Sequence, residues 1–178
     1  MTAPQVFRRH PDIIRFEREI RHLNDQEVVG IFTSQGELLR VYNGSICVNI
    51  PDADRLNSRH QILTHNHQSD TSFSQLDLET AARLDVADIR VVGETEIFAM
   101  RPSQNGWPEP STVGDRFREV DSDSKFNSHM LDIEFSAEFH AQAKDFYKEP
   151  IRIRSDLRCR QVAETFGLVY KGARWRTE

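Results

Sequence analysis

His60-Gln61-Ile62-Leu63-Thr64-His65-Asn66-His67 is an apolar run that ends in two imidazoles, and the fold is read outward from it. Residues 60–64 have the composition of a buried strand that delivers the chain directly into His65-Asn66-His67. The Ser-, Asp- and Thr-rich stretch that follows reads as a loop. Ser74-Gln75-Leu76-Asp77 is then a variant capping box, with Ser74 as N-cap and Asp77 at the third helical position. The helix should run on through Leu78, Ala81, Ala82 and Leu84. Asp88–Gly93, rich in Ile and Val as a central strand would be, and Glu96–Met100 read as two further strands.

Before this unit, Ile13, Ile14, Phe16, Ile20 and Leu23 recur mostly at helical spacing, and Pro11 suits a first turn, which predicts a helix over Pro11–Asn24. Glu27–Thr33 and Glu37–Tyr42 read as a hairpin closed by Ser34-Gln35-Gly36, with a third, short strand over Ser45–Ile50. Beyond it, Arg101–Ser128 mixes proline, glycine, serine and aspartate, and is expected to be a long loop with little core of its own. Phe135, Phe139, Ala143 and Phe146 mark one later helix, and Leu157, Val162, Ala163 and Phe166 another that stops at Gly167. A last hairpin would join Leu168–Tyr170 to Ala173–Trp175 across Lys171-Gly172. The expectation is an α/β fold: a curved mixed sheet with the Pro11 and Ser74 helices packed on it and a C-terminal helical extension. Residues 1–102 would be the core, and 103–178 a polar loop and helices packed on the same domain.

A chain of 178 residues is long enough to bury a core without staples. Its net charge of −5 offers no basic footprint for nucleic acid, and no apolar run has the length of a membrane span. The first ten residues lack the apolar stretch of an export signal. Cys47 and Cys159, far apart, imply neither a disulfide framework nor a thiolate metal site, so a reducing cytoplasm is expected.

His65 and His67, two apart on extended chain, point to one side and can meet one ion. Asp77, in the first turn of the next helix, can return a carboxylate to the same point. Two histidines and a carboxylate make a zinc site with an open fourth position, where water becomes a nucleophile near neutral pH. Glu27, heading an apolar strand, is the best base, and Glu37 the next. Ser74 could donate its hydroxyl to an oxyanion, or serve only as an N-cap. Competing readings are a capping carboxylate for Asp77, a strand-edge carboxylate for Glu27, and Asp70 as a substitute ligand. His10, His22, His60, His129 and His140 read as surface or hydrogen-bonded residues. An HNH nuclease would spread its residues over a ββα unit with basic neighbours, which this sequence lacks.

The order of Glu27-Val28-Val29-Gly30-Ile31, Thr64-His65-Asn66-His67-Gln68-Ser69 and Ser74-x-x-Asp77 resembles the JAMM motif of JAB/MPN metallopeptidases. The likeness covers about residues 20–102 and is greatest to the RadC-type and phage-associated branches. Gln68 replaces the usual proline, and the nine residues between His67 and Asp77, with Phe73-Ser74, are similar to the phage-associated spacing. The resemblance implies a JAB/MPN-like sheet, His65, His67 and Asp77 as zinc ligands, Glu27 as general acid and base, and Ser74 as oxyanion helper. It implies hydrolysis of a peptide or isopeptide bond in a protein or peptide substrate, a ubiquitin-like tail among the candidates. The alternative is a binding or assembly module that keeps the fold without hydrolysis.

Overall fold

The computed structural model describes residues 10–45, 48–51, 54, 57–140 and 148–175, and the backbone alone at 137–140 and 148–149. Cys47, Ala143 and Phe146, and the side chains of Phe139 and His140, lie outside that description.

Six strands form one mixed sheet: β1 (Glu27–Phe32), β2 (Leu38–Gly44), β3 (Ile62–Asn66), β4 (Asp88–Val92), β5 (Glu96–Arg101) and β6 (Val169–Arg174), in the order β2-β1-β3-β4-β5-β6. Only β3 and β4 run parallel, and the connection between them contains the helix α2 (Gln75–Leu84). That crossover is what a parallel pair requires, since a tight turn cannot return the chain in the same direction. The remaining helices are α1 (Pro11–Ile20), α3 (Pro110–Ser122), α4 (Ser124–His140) and α5 (Lys148–Phe166).

Alternation along the strands sorts side chains between two faces. Val29, Ile31, Leu63, Ile89 and Val91 pack on one face in a core completed by Phe73, Leu78 and Ala81 from the α2 region, Val113 and Phe117 from α3, and Cys159 and Val162 from α5. Val28, Val92 and Ile97 turn to the other face, beneath Ile20 and Phe16 of α1. That second face also buries charge. Glu17 of α1 accepts from Arg90 Nε at 2.6 Å and from Thr64 Oγ1 at 3.2 Å, and Asp88 accepts from Arg101 Nη2 at 2.9 Å. Such a cluster fixes where α1 sits more than it adds net stability, because desolvation offsets most of the attraction.

Three expectations need correction. The Arg101–Ser128 segment is not a long loop: α3 runs through it and α4 begins in it. Pro110 stands in the first turn, where its missing N–H costs nothing, and Val113, Phe117 and Val120 form a buried stripe at helical spacing. Val120, Phe126 and Met130 pack with Ile153 and Leu157 of α5, so the segment supplies core. The last hairpin is instead one strand, β6, paired along β5. Gly172 serves close approach there, not a turn: a Cβ would lie 2.9 Å from the Phe98 ring. Finally, Ser45 and Val48–Ile50 form no strand; Ile50 is buried and Val48 packs against the core without joining a ladder.

Candidate metal centre and catalytic cleft

The candidate ligands meet because β3 ends where α2 begins. Within β3, Leu63 and His65 face the α2 side, while Thr64 and Asn66 face α1. His65 is buried at 1% exposure between β1 and β4, paired with Val29 and Val91. His67 lies one residue past the strand, its N–H bonded to Val92 O at 2.9 Å. Across the loop, Ser74 caps α2: its Oγ accepts from Asp77 N at 3.2 Å while Asp77 Oδ2 accepts from Ser74 N at 2.6 Å, the reciprocal box expected from sequence.

The box aims Asp77 back at the strand. His65 Nε2 and His67 Nε2 lie 3.1 Å apart, His65 Nε2 is 3.4 Å from Asp77 Oδ1, and His67 Nε2 is 3.3 Å from Asp77 Oδ2. Four-coordinate zinc with bonds of roughly 2.0–2.1 Å has ligand atoms about 3.3 Å apart along each tetrahedral edge. Each of the three contacts is close to such an edge in length, with Asp77 turning one oxygen to each histidine, and the group could hold a metal ion. His67 Nδ1 lies 3.1 Å from Thr71 O, and the tautomer that donates there leaves the Nε2 lone pair for an ion. His65 Nδ1 is buried with no partner among the described residues.

Glu27 lines the same cleft as the triad, a cavity of about 360 Å³. Burial pushes its carboxyl above the usual range, His65 pulls it down, and Asp77 adds to the rise. Burial also opposes charge on Asp77, yet the facing His65 and His67 hold it well below the usual carboxylate range. His67 moves upward because the bond and charge of Asp77 outweigh its burial.

Comparison of the chain with protein-family models, with curated proteins and with solved structures returns no match.

The remaining candidates fall apart from the cluster. Glu37 is exposed beside the turn, at the opposite end of the β1–β2 hairpin from Glu27. Asp70 is consumed by the β4–β5 turn, where it accepts from Thr95 N at 2.9 Å and Thr95 Oγ1 at 2.8 Å. Gly93 permits this approach, since a Cβ there would meet Asp70 Oδ1 at 2.0 Å.

One residue of the site is invisible to pattern reading. Asn66, between the two histidines but facing away from them, accepts from Val28 N at 2.7 Å and donates to Gln26 O at 3.0 Å and Leu23 O at 2.9 Å. It thus grips the backbone on both sides of Glu27. An amide is the group that can accept on one atom and donate twice on the other. The only signal in the sequence is a polar residue at a strand position facing a helix.

Proposed function

We propose that the chain is a zinc-dependent hydrolase of amide bonds, a peptidase or isopeptidase built on a JAB/MPN-like sheet. The observation that carries this reading is the convergence of His65 Nε2, His67 Nε2 and the Asp77 carboxylate at pairwise distances of 3.1–3.4 Å, in a cleft that also holds Glu27 and Ser74. His65, His67 and Asp77 would hold the zinc ion, which would supply Lewis acidity and lower the pKa of water from about 16 to roughly 7.

The chain's own groups fit the remaining tasks. Glu27, whose carboxyl burial pushes upward, accepts a proton from the attacking water and returns it to the leaving amine nitrogen. Ser74 Oγ uses a lone pair to cap α2, so its hydroxyl proton remains available to a carbonyl oxygen; capping and catalytic roles coexist on one side chain. Val28 and Gln26, gripped by Asn66, keep Glu27 from drifting. The order of these residues along the chain supports the JAMM reading, and a protein or peptide with a ubiquitin-like tail is one candidate substrate.

The test is elemental analysis of wild type and Glu27→Gln, each followed by a screen of peptide and isopeptide substrates. The expected result is one zinc per chain in both and turnover in wild type alone. Equal turnover in both would remove Glu27 from the mechanism, and zinc in both without any turnover would favour the binding module.

A further inference from the structure

Two clefts meet at the triad. His67, Thr71 and Ser74 line both the cavity described above and a second one of about 260 Å³ beside α5. The first extends from the triad over Val48, Ile50, Leu63 and Ile89, an apolar wall. The second is lined by Arg154 and Arg158, one helical turn apart on α5, and by Ser155.

Among the described residues the two guanidiniums share one carboxylate. Arg158 Nη1 donates to Asp121 Oδ2 at 3.0 Å and Oδ1 at 3.3 Å. Arg154 Nη2 stands 3.6 Å from Asp121 Oδ1 and donates instead to the neutral Asn127 Oδ1 at 2.9 Å. Among the described residues, two guanidiniums on this side of the cleft thus face a single carboxylate, Asp121. Donors are also in excess: a guanidinium carries five, and Arg158 Nε is buried with no partner among the described residues. The Phe117 and Phe126 rings lie 4.9 and 5.3 Å beneath Arg158 and Arg154, which restricts both planes before any ligand arrives.

We propose that this second cleft binds a carboxylate of the substrate, so that the scissile amide lies over the triad between an apolar group on one side and an anionic group on the other. The placement of the amide rests on the hydrolase reading; the carboxylate site itself does not. A fork of N–H donors matches a carboxylate in shape, and a pair of such forks already half engaged by Asp121 has room for one more carboxylate. The carboxylate is either a chain terminus or an acidic side chain.

The test uses Glu27→Gln protein and three probes titrated by calorimetry: acetyl-leucyl-glycyl-alanine as free acid, the same peptide as C-terminal amide, and an amide in which aspartate replaces alanine. One of the two anionic probes should bind roughly ten- to a hundredfold more tightly than the neutral amide, the scale of charge-assisted hydrogen bonds, and which one identifies the source. Arg154→Gln should abolish that preference without altering the far-ultraviolet circular dichroism. Asp121→Asn, which removes the competing carboxylate, should enlarge it. Equal binding of all three probes, no binding of any, or a preference untouched by both variants overturns the proposal. A carboxylate preference in protein that takes up no zinc would sink the hydrolase reading and leave the anion site standing, whereas zinc-dependent hydrolysis of acid and amide alike by the wild type would do the reverse.

Discussion

Asn66→Ala offers the sharpest test of how the site is assembled, because it removes a clamp without touching a candidate ligand. The wild-type side chain is 1% exposed and makes three hydrogen bonds, to Val28 N, Gln26 O and Leu23 O. The costliest orphan is the Val28 N–H, at a residue only 5% exposed, where an unpaired donor is worth about 1–3 kcal/mol. Leu23 and Gln26 are half-buried, so water can reach their carbonyls and each should add no more than about 0.5–1 kcal/mol. The sum is roughly 2–5 kcal/mol, or about 4–20 °C in Tm for a domain of this size. Urea titration gives the stability, elemental analysis the zinc content, and steady-state kinetics the effect on Glu27. The expected pattern is lower stability, zinc still near one per chain, and a fall in kcat larger than any change in KM. Asn66→Asp should be no better, since it keeps the acceptor for Val28 N but turns a charge toward two carbonyl oxygens. An Asn66→Ala protein with wild-type stability and kcat would refute the clamp.

His65→Ala should lose zinc and His67→Ala likewise, and adding a chelator to wild type should lower its Tm. A metal held at a thousandfold excess over its Kd contributes about 4 kcal/mol, so a melt unchanged by chelation would contradict a tight site. Arg90→Ala strands the buried Glu17 carboxylate and should cost roughly 3–5 kcal/mol in urea titration, whereas Arg90→Met with Glu17→Gln should recover much of it; equal stability of the two variants would contradict an ionic origin. Cys159, fully buried, has its thiol pushed up to about 12 by burial, so iodoacetamide at pH 8.5 should label it only after unfolding. The folded state holds that proton more firmly than the unfolded state, whose thiol ionises near 9.0, so its contribution is complete below pH 9 and is lost as the pH rises toward 12. Labelling of native protein at the rate of a model thiol would show the site to be open.

The elements around the triad were legible because their signals are local. The reciprocal bonds of Ser74 and Asp77 span three residues, and the apolar residues of β1, β3, β4 and β5 are close neighbours in sequence. What escaped depends on partners far along the chain. The Pro110 helix is concealed by the residues that announce loops, and its apolar stripe acquires meaning only against α2 and α5, which bury it. Lys171-Gly172 reads as a turn until Phe98 is seen to occupy the space of the missing side chain. Arg90 sits in a strand whose other residues are Ile, Val and Asp88, and its counterion Glu17 lies 73 residues away. The roles of Asn66 and of the α5 arginines are likewise fixed by contacts between distant segments, which no spacing rule encodes.

Asp77 belongs to two cooperative units at once. Its carboxylate closes the first turn of α2 through Ser74 N and faces both histidines across the gap that an ion would fill. Were an ion held there, helix initiation and metal uptake would be thermodynamically reciprocal: whatever favours the closed first turn of α2 would raise metal affinity, and the metal would favour that closed turn by the same factor. Substitutions at Gln75, which offers no ligand, would then become dials on occupancy. The exchange rate of the Asp77 amide becomes an internal gauge of the metal, readable without any substrate.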